Sequence, residues 1–261
     1  MKGVLAALLL LGAVPATAQD RDYCPDRPGI GTPACTMAPG TVSVETSIAD
    51  WTRDDQPGSR QDTVLIGDTL VRVGLSDAIE ARVGWTPFGH DRVRDAAGVE
   101  SANRVGDVSL GVKANLRNPD GSGLSVAALP FMTLPVGRTP IGDGDWGAGF
   151  LLPITHDLSD AVSLAVNPEV DAAVDGDGHG RHLAYSLAGG LAFKLNPAFT
   201  LTGEMQALRD RDPGGHATQA LAALSLAWSA TDDLQFDLFG AGGLNHDTPG
   251  ARIYAGIARR F

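Results

Sequence analysis

Apolar and polar residues alternate with a period of two along most of this chain beyond its first forty residues. The cleanest stretch runs from 107 to 116. There Val108, Leu110, Val112, Ala114 and Leu116 take one face, while Asp107, Ser109, Lys113 and Asn115 take the other. A second copy of the pattern sets Val162, Leu164, Val166 and Val170 against Ser163, Asn167, Glu169 and Asp171. A period of two is that of a β-strand with unlike surroundings on its two sides. Read throughout, it predicts twelve strands, at 41–51, 63–75, 79–87, 106–116, 124–136, 147–156, 161–173, 183–194, 199–208, 218–229, 234–242 and 251–261. Alternation slips between Val64 and Asp68, where a bulge is expected near Gly67.

The connections alternate too. Short turns (Ser76 to Ala78, Asn118 to Ser122, Leu158 to Asp160, Asn196 to Ala198, Ala230 to Asp233) are interleaved with longer charged loops, at 88–106, 175–182, 209–216 and 244–250. An even strand count with this short and long rhythm is that of a bacterial outer-membrane barrel. Such a barrel turns its apolar face to lipid; a soluble lipocalin-like barrel would turn it inward. The rhythm, the count and the gathering of charge on one face favour the membrane version. Trp51, Trp85 and Trp146 at loop ends and Trp228 at a turn end suit the aromatic girdles of such barrels. The predicted fold is an all-β, antiparallel transmembrane β-barrel over residues 40–261, with both termini in the periplasm. The terminal aromatic, Phe261, shares a face with Ile253, Ala255 and Ile257 and fits an assembly signal read by the barrel assembly machinery.

Residues 1–18 read as a secretory signal peptide: Lys2, an apolar run from Val4 to Val14, and Ala16-Thr17-Ala18 for cleavage. With 33 Gly and 16 Pro, the composition suits turns and strands rather than helices. Net charge is −11, and −12 once Lys2 leaves with the signal peptide. That balance argues against nucleic-acid binding, which depends on clustered Lys and Arg. No phosphate-binding, dinucleotide or zinc-protease motif is present, and the sequence calls for no cofactor and no metal.

If the apolar face meets lipid, the other face lines the lumen. It carries Glu45, Arg72, Glu80, Arg82, Asp107, Lys113, Glu169, Asp171, Lys194, Glu204, Asp237 and Arg252. The turn at Ser76 to Ala78 sets Arg72 opposite Arg82 and Gly74 opposite Glu80, so Glu80, with a carboxylate such as Glu45, must separate two guanidiniums. The cluster is either a charged constriction that selects solutes or a salt-bridge network that holds the wall. Cys24 and Cys35 precede the first strand. Outside the cytoplasm such a pair reads as a disulfide, worth about 3 kcal/mol by loop closure. Segment 19–39 then dangles in the periplasm or folds into the barrel mouth as a plug.

The segments CPDRPGIGTPAC, GTVSVETSIADWTRD, DTLVRVGLSDAIEARVGW, GDVSLGVKANL and LPFMTLPVG together resemble the transporter family named for the MetA pathway of phenol degradation. That resemblance implies an outer-membrane channel for passive uptake of small aromatic or hydrophobic solutes, and it brings no catalytic residues. Arg259 departs from the apolar residue usual near a barrel's end. The expected partners are outer-membrane lipids, lipopolysaccharide and a small-molecule solute. The rival reading is a structural or adhesive barrel with a closed lumen. A lipid hydrolase is a third: His182 is followed at the second position by Ala184 rather than Ser, and His156 falls near a turn. His90, His179, His216 and His246 lie in loops, as do the acidic pairs Asp143/Asp145 and Asp175/Asp177, which complete no calcium pattern and read as solvated.

Overall fold

A computed structural model describes residues 21–261, so the signal-peptide assignment lies outside the described residues. In order, the strands are β1 (Val42–Gln56), β2 (Ser59–Ile66), β3 (Thr69–Ser76), β4 (Ile79–Trp85), β5 (Phe88–Asp95), β6 (Gly98–Arg104), β7 (Val108–Arg117) and β8 (Leu124–Leu134). They continue as β9 (Gly147–Leu151), β10 (Ile154–Ser159), β11 (Val162–Val174), β12 (Arg181–Asn196), β13 (Phe199–Asp210), β14 (Ala217–Thr231), β15 (Leu234–Gly243) and β16 (Ala251–Arg260). Four pairs, β2 with β3, β4 with β5, β6 with β7 and β9 with β10, are single staves interrupted by two or three residues. The result is twelve antiparallel staves. Neighbours in sequence pair in space, and β16 pairs with β1 to close the barrel. No helix among the described residues is long and apolar enough to cross a membrane.

Closure removes every free edge across the apolar zone, which is the condition for a sheet to sit in lipid. The faces follow the alternation. Ile48, Val83, Val112, Leu187, Met205, Leu224, Leu238 and Ile253 are exposed on the outside. Ser43, Glu45, Arg72, Glu80, Lys113, Ser125, Asn167, Ser225 and Asp237 are buried inside. This core is polar, the inverse of a soluble protein's. Trp85, Trp146 and Trp228 are exposed near strand ends, and Trp228 stacks between Phe199 and Phe236 with ring centroids 6.3 and 5.4 Å away.

Two departures from the alternation pattern have one cause. The stretch 88–106, read as a loop, is largely the hairpin β5–β6, and β1 and β2 run on as a hairpin to the turn at Pro57-Gly58. Both faces of these hairpins carry polar residues, so pairing persists where the lipid-driven alternation stops. Near Gly67 the stave does break. Ser47 bridges the gap, accepting from Gly67 N at 2.9 Å and donating to Asp68 O at 2.8 Å, and Gly67 takes φ 71°.

Candidate functional site: the N-terminal segment inside the barrel

Residues 21–41 enter from the short-turn end and pack against the inner wall. Gly40 N donates to Gly74 O at 2.9 Å and Thr36 N to Pro119 O at 3.0 Å. The approach is close because Gly74 lacks a side chain: a Cβ there would overlap the Ala38 carbonyl. Cys24 and Cys35 are joined in a disulfide, closing a loop that reaches across the interior. At its tip, Gly29 N donates to Tyr254 Oη at 2.8 Å on β16. Ile30 N and Gly31 N each donate to the Glu204 carboxylate at 2.9 Å on β13, and Thr32 N donates to Asn167 Oδ1 at 3.2 Å on β11. One tight loop therefore touches three well-separated staves. Of the two placements that the sequence left open for this segment, the interior one is observed.

The base of the segment sits on a cluster of six charges. Arg72 donates to Glu80 through Nε and Nη2, both at 2.9 Å, and through Nη1 to Glu45 at 3.0 Å and to the Cys24 carbonyl at 2.7 Å. Glu45 accepts in turn from Asp26 N and Arg27 N at 2.8 and 3.1 Å. Asp26, on the segment itself, meets Arg72 at 3.2 Å, Lys113 at 3.4 Å and also Arg82. Lys113 lies 3.3 Å from Glu80 and donates to the Pro33 and Cys35 carbonyls at 3.0 Å each. Met37 N donates to Glu80 at 2.8 Å. Three cations face three carboxylates, so the cluster is neutral while nearly all of its members are buried. Neutrality with dense hydrogen bonding is what makes charge burial tolerable, although Arg82 Nη1 is buried without a hydrogen-bond partner among the described residues.

The other charges expected on this face are dispersed. Asp237 pairs with Arg27 of the segment at 3.3 Å, and Arg27 also lies over the Tyr254 ring at 4.5 Å. Arg252 pairs with Asp50 at 2.6 Å. Glu169 accepts from Ser186 Oγ at 3.4 Å, and Asp171 Oδ1 is buried without a hydrogen-bond partner among the described residues. Asp107 stands at the long-loop end, accepting from Gly137 N at 2.8 Å and Asp143 N at 2.7 Å to tie that loop down. Burial, and Asp107 beside it, push the Asp143 carboxyl above the usual carboxylate range. Asp26, Arg27 and Tyr254 went unnoticed as site residues, because the first two precede the first strand and so carry no alternation signal.

Two cavities flank the segment. The one toward the short turns measures about 820 Å³ and is lined by Tyr23, Lys194, Thr200, Gln235 and Arg260 among others. The one toward the long hairpins measures about 310 Å³. Its wall combines Ile30, Leu65, Leu221 and Phe239 with Gln206, Gln219, Asp50 and Arg252. The segment borders both: Arg21, Asp22, Tyr23 and Pro25 line the first, and Ile30 at the loop tip lines the second. His182 does not face lipid: its outward neighbours are Leu183 and Tyr185, while its own ring lies 2.9 Å from Asp175 and 2.8 Å from Asp210.

No curated protein matches the chain. Among solved structures, it is similar to the COG4313 outer membrane channel from Pseudomonas putida F1, with a TM-score of 0.72 and 14% identity over 90% of this chain and 99% of that one. It is also similar to the NanC porin, with a TM-score of 0.52 and 11% identity over 84% and 98% of the two chains. The translocator domain of the autotransporter NalP from Neisseria meningitidis gives a TM-score of 0.54 and 12% identity over 85% and 88%. At such identities the likeness is one of fold, that of outer-membrane barrels. Residues 25–261, the interior segment and the barrel together, match the family model described as "Putative MetA-pathway of phenol degradation", and the chain belongs to that family.

Proposed function

We propose that this protein is an outer-membrane channel for passive uptake of small aromatic or otherwise poorly water-soluble molecules, with both termini and the short turns in the periplasm. The observation that carries the reading is the pair of cavities inside a closed barrel, both bordered by the N-terminal segment. The outer cavity has a mixed wall, in which Ile30, Leu65, Leu221 and Phe239 stand with two amides and the Asp50–Arg252 ion pair. That lining fits a small ring bearing one or two polar groups. In this reading the twelve inward charges line the lumen in three roles. Glu45, Arg72, Glu80, Arg82 and Lys113 seat the segment, with Glu204 and Asp237 holding its tip, while Glu169, Asp171, Lys194 and Arg252 border the solvated space and Asp107 pins a loop at the mouth. The channel works without catalytic residues or a cofactor. Outer-membrane lipids and lipopolysaccharide surround it, and the barrel assembly machinery inserts it through the Phe261 strand.

Reconstitution tests the proposal. The purified barrel should give conductance in planar bilayers and swelling of liposomes with small solutes, and deleting it should slow growth on a limiting aromatic carbon source. A barrel that passes none of these would instead be the closed structural or adhesive one, a reading favoured by the segment filling the middle of the lumen.

A further inference from the structure

The wall made by β1, β2 and β5 continues past the lipid-facing band at its long-hairpin end. Register puts Ile66 opposite Phe88, Val64 opposite His90, Asp62 opposite Arg92 and Arg60 opposite Arg94. On the other side, Trp51 stands opposite Val64 and Arg53 opposite Asp62. All of these share the outward face. Ile66 and Phe88 are exposed apolar residues at the top of the band. Arg92 and Arg94 stand roughly 13 and 20 Å farther along the strand, at about 3.3 Å per residue.

The charges on this face do not balance. Asp62 holds both Arg53 at 2.9 Å and Arg60 at 3.0 Å, with Asp55 3.9 Å from Arg60. Neither Arg92 nor Arg94 has a carboxylate within 4.0 Å among the described residues. Four guanidiniums thus meet two carboxylates, on a chain whose net charge is −11. Arg60 and Arg94 are direct cross-strand partners, and like charges so placed destabilise a sheet unless an anion lies between them. A guanidinium fork suits a phosphate, which it grips with two parallel hydrogen bonds. The apolar rungs immediately below demand that the same ligand carry acyl chains.

We propose that this face binds the phosphorylated glycolipid headgroup of lipopolysaccharide, with Arg60, Arg92 and Arg94 on phosphate and Ile66, Phe88, Trp51 and Val64 against the acyl chains. It rests on the orientation proposed above, with the long hairpins outside the cell. The test titrates the purified full barrel in detergent with rough-type lipopolysaccharide, the same lipid after dephosphorylation, and inorganic phosphate, followed by native mass spectrometry. R92A/R94A should bind the intact lipid about ten-fold more weakly, as should wild type for the dephosphorylated lipid. Phosphate alone should not displace the lipid. Unchanged heat-modifiable gel migration of the variant shows that its barrel is intact. Equal binding by variant and wild type, or indifference to dephosphorylation, overturns the proposal. Displacement by inorganic phosphate overturns it too, in favour of a site for the free anion. Orientation is tested separately: an Ala97→Cys variant at the hairpin tip should react with a membrane-impermeant maleimide on intact cells. Failure there overturns the orientation, and with it the assignment of this face to lipopolysaccharide, whatever the titration in detergent gives.

Discussion

Arg72 holds Glu80 in a planar fork, Nε to Oε1 and Nη2 to Oε2, both at 2.9 Å, with neither side chain reached by solvent. The third nitrogen of the same guanidinium turns to Glu45 and to a carbonyl of the N-terminal segment. One side chain of the wall thus fixes two other wall residues and the segment at once.

Glu80→Gln should weaken that seat. The change leaves Arg72 and Lys113 buried with one carboxylate fewer, and breaking a buried ion pair from one side costs about 3–5 kcal/mol. The expected result is a lower unfolding midpoint and faster protease cleavage within residues 21–41, with the strands still resistant. A variant whose midpoint holds while anion preference rises would return the cluster to the role of selectivity filter.

Replacing both cysteines with serine removes the loop constraint, worth about 3 kcal/mol on chain-entropy grounds. The barrel should still migrate as a folded species before heating. Reducing agent should reproduce the effect on the wild type: larger or more frequent conductance steps, as the loop tip leaves Glu204 and Tyr254. Identical traces in both redox states would mean that the loop stays docked through its hydrogen bonds alone.

Glu204→Ala removes the acceptor shared by Ile30 N and Gly31 N, at about 1–3 kcal/mol for the stranded donors. Liposome swelling should extend to bulkier solutes, with little change in the thermal midpoint because β13 keeps its backbone pairing with β12 and β14. Swelling rates that match the wild type for every solute size would show that the tip does not limit passage.

Deleting Phe261 takes away both hydrogen bonds that close the seam at the turn end, Val42 N to Phe261 O at 3.1 Å and Phe261 N to Val42 O at 2.8 Å. It also takes away an exposed terminal aromatic. Folded yield in the outer membrane should drop several-fold, while refolding of purified chain in detergent changes little. Equal loss in both assays would assign the residue to stability rather than to assembly.

Legibility in the sequence tracked the solvent. Where one face met lipid, as at Leu110 and Val112 against Lys113, the alternation located each strand. The turn at Ser76 to Ala78 gave the register observed, Arg72 opposite Arg82 and Gly74 opposite Glu80. Where both faces carry polar residues, as along β5 and β6, that signal vanished although the pairing did not. Asp26 was hidden for a different reason. Its place beside Arg72, Arg82 and Lys113 is set by a long-range return of the chain into the barrel, and no local pattern encodes that.

The seam between β1 and β16 has a consequence for biogenesis. Val42 is the first strand residue after the interior segment, and its backbone partner is the last residue of the chain. Residues 21–41, which precede every strand, are therefore enclosed by a barrel that β16 closes. The disulfide loop contacts Asn167 on β11 and Glu204 on β13, and it also contacts Tyr254 on β16, the closing strand itself. The strand that shuts the barrel is thus also one that grips what the barrel encloses, so closure of the seam and capture of the segment share a single strand.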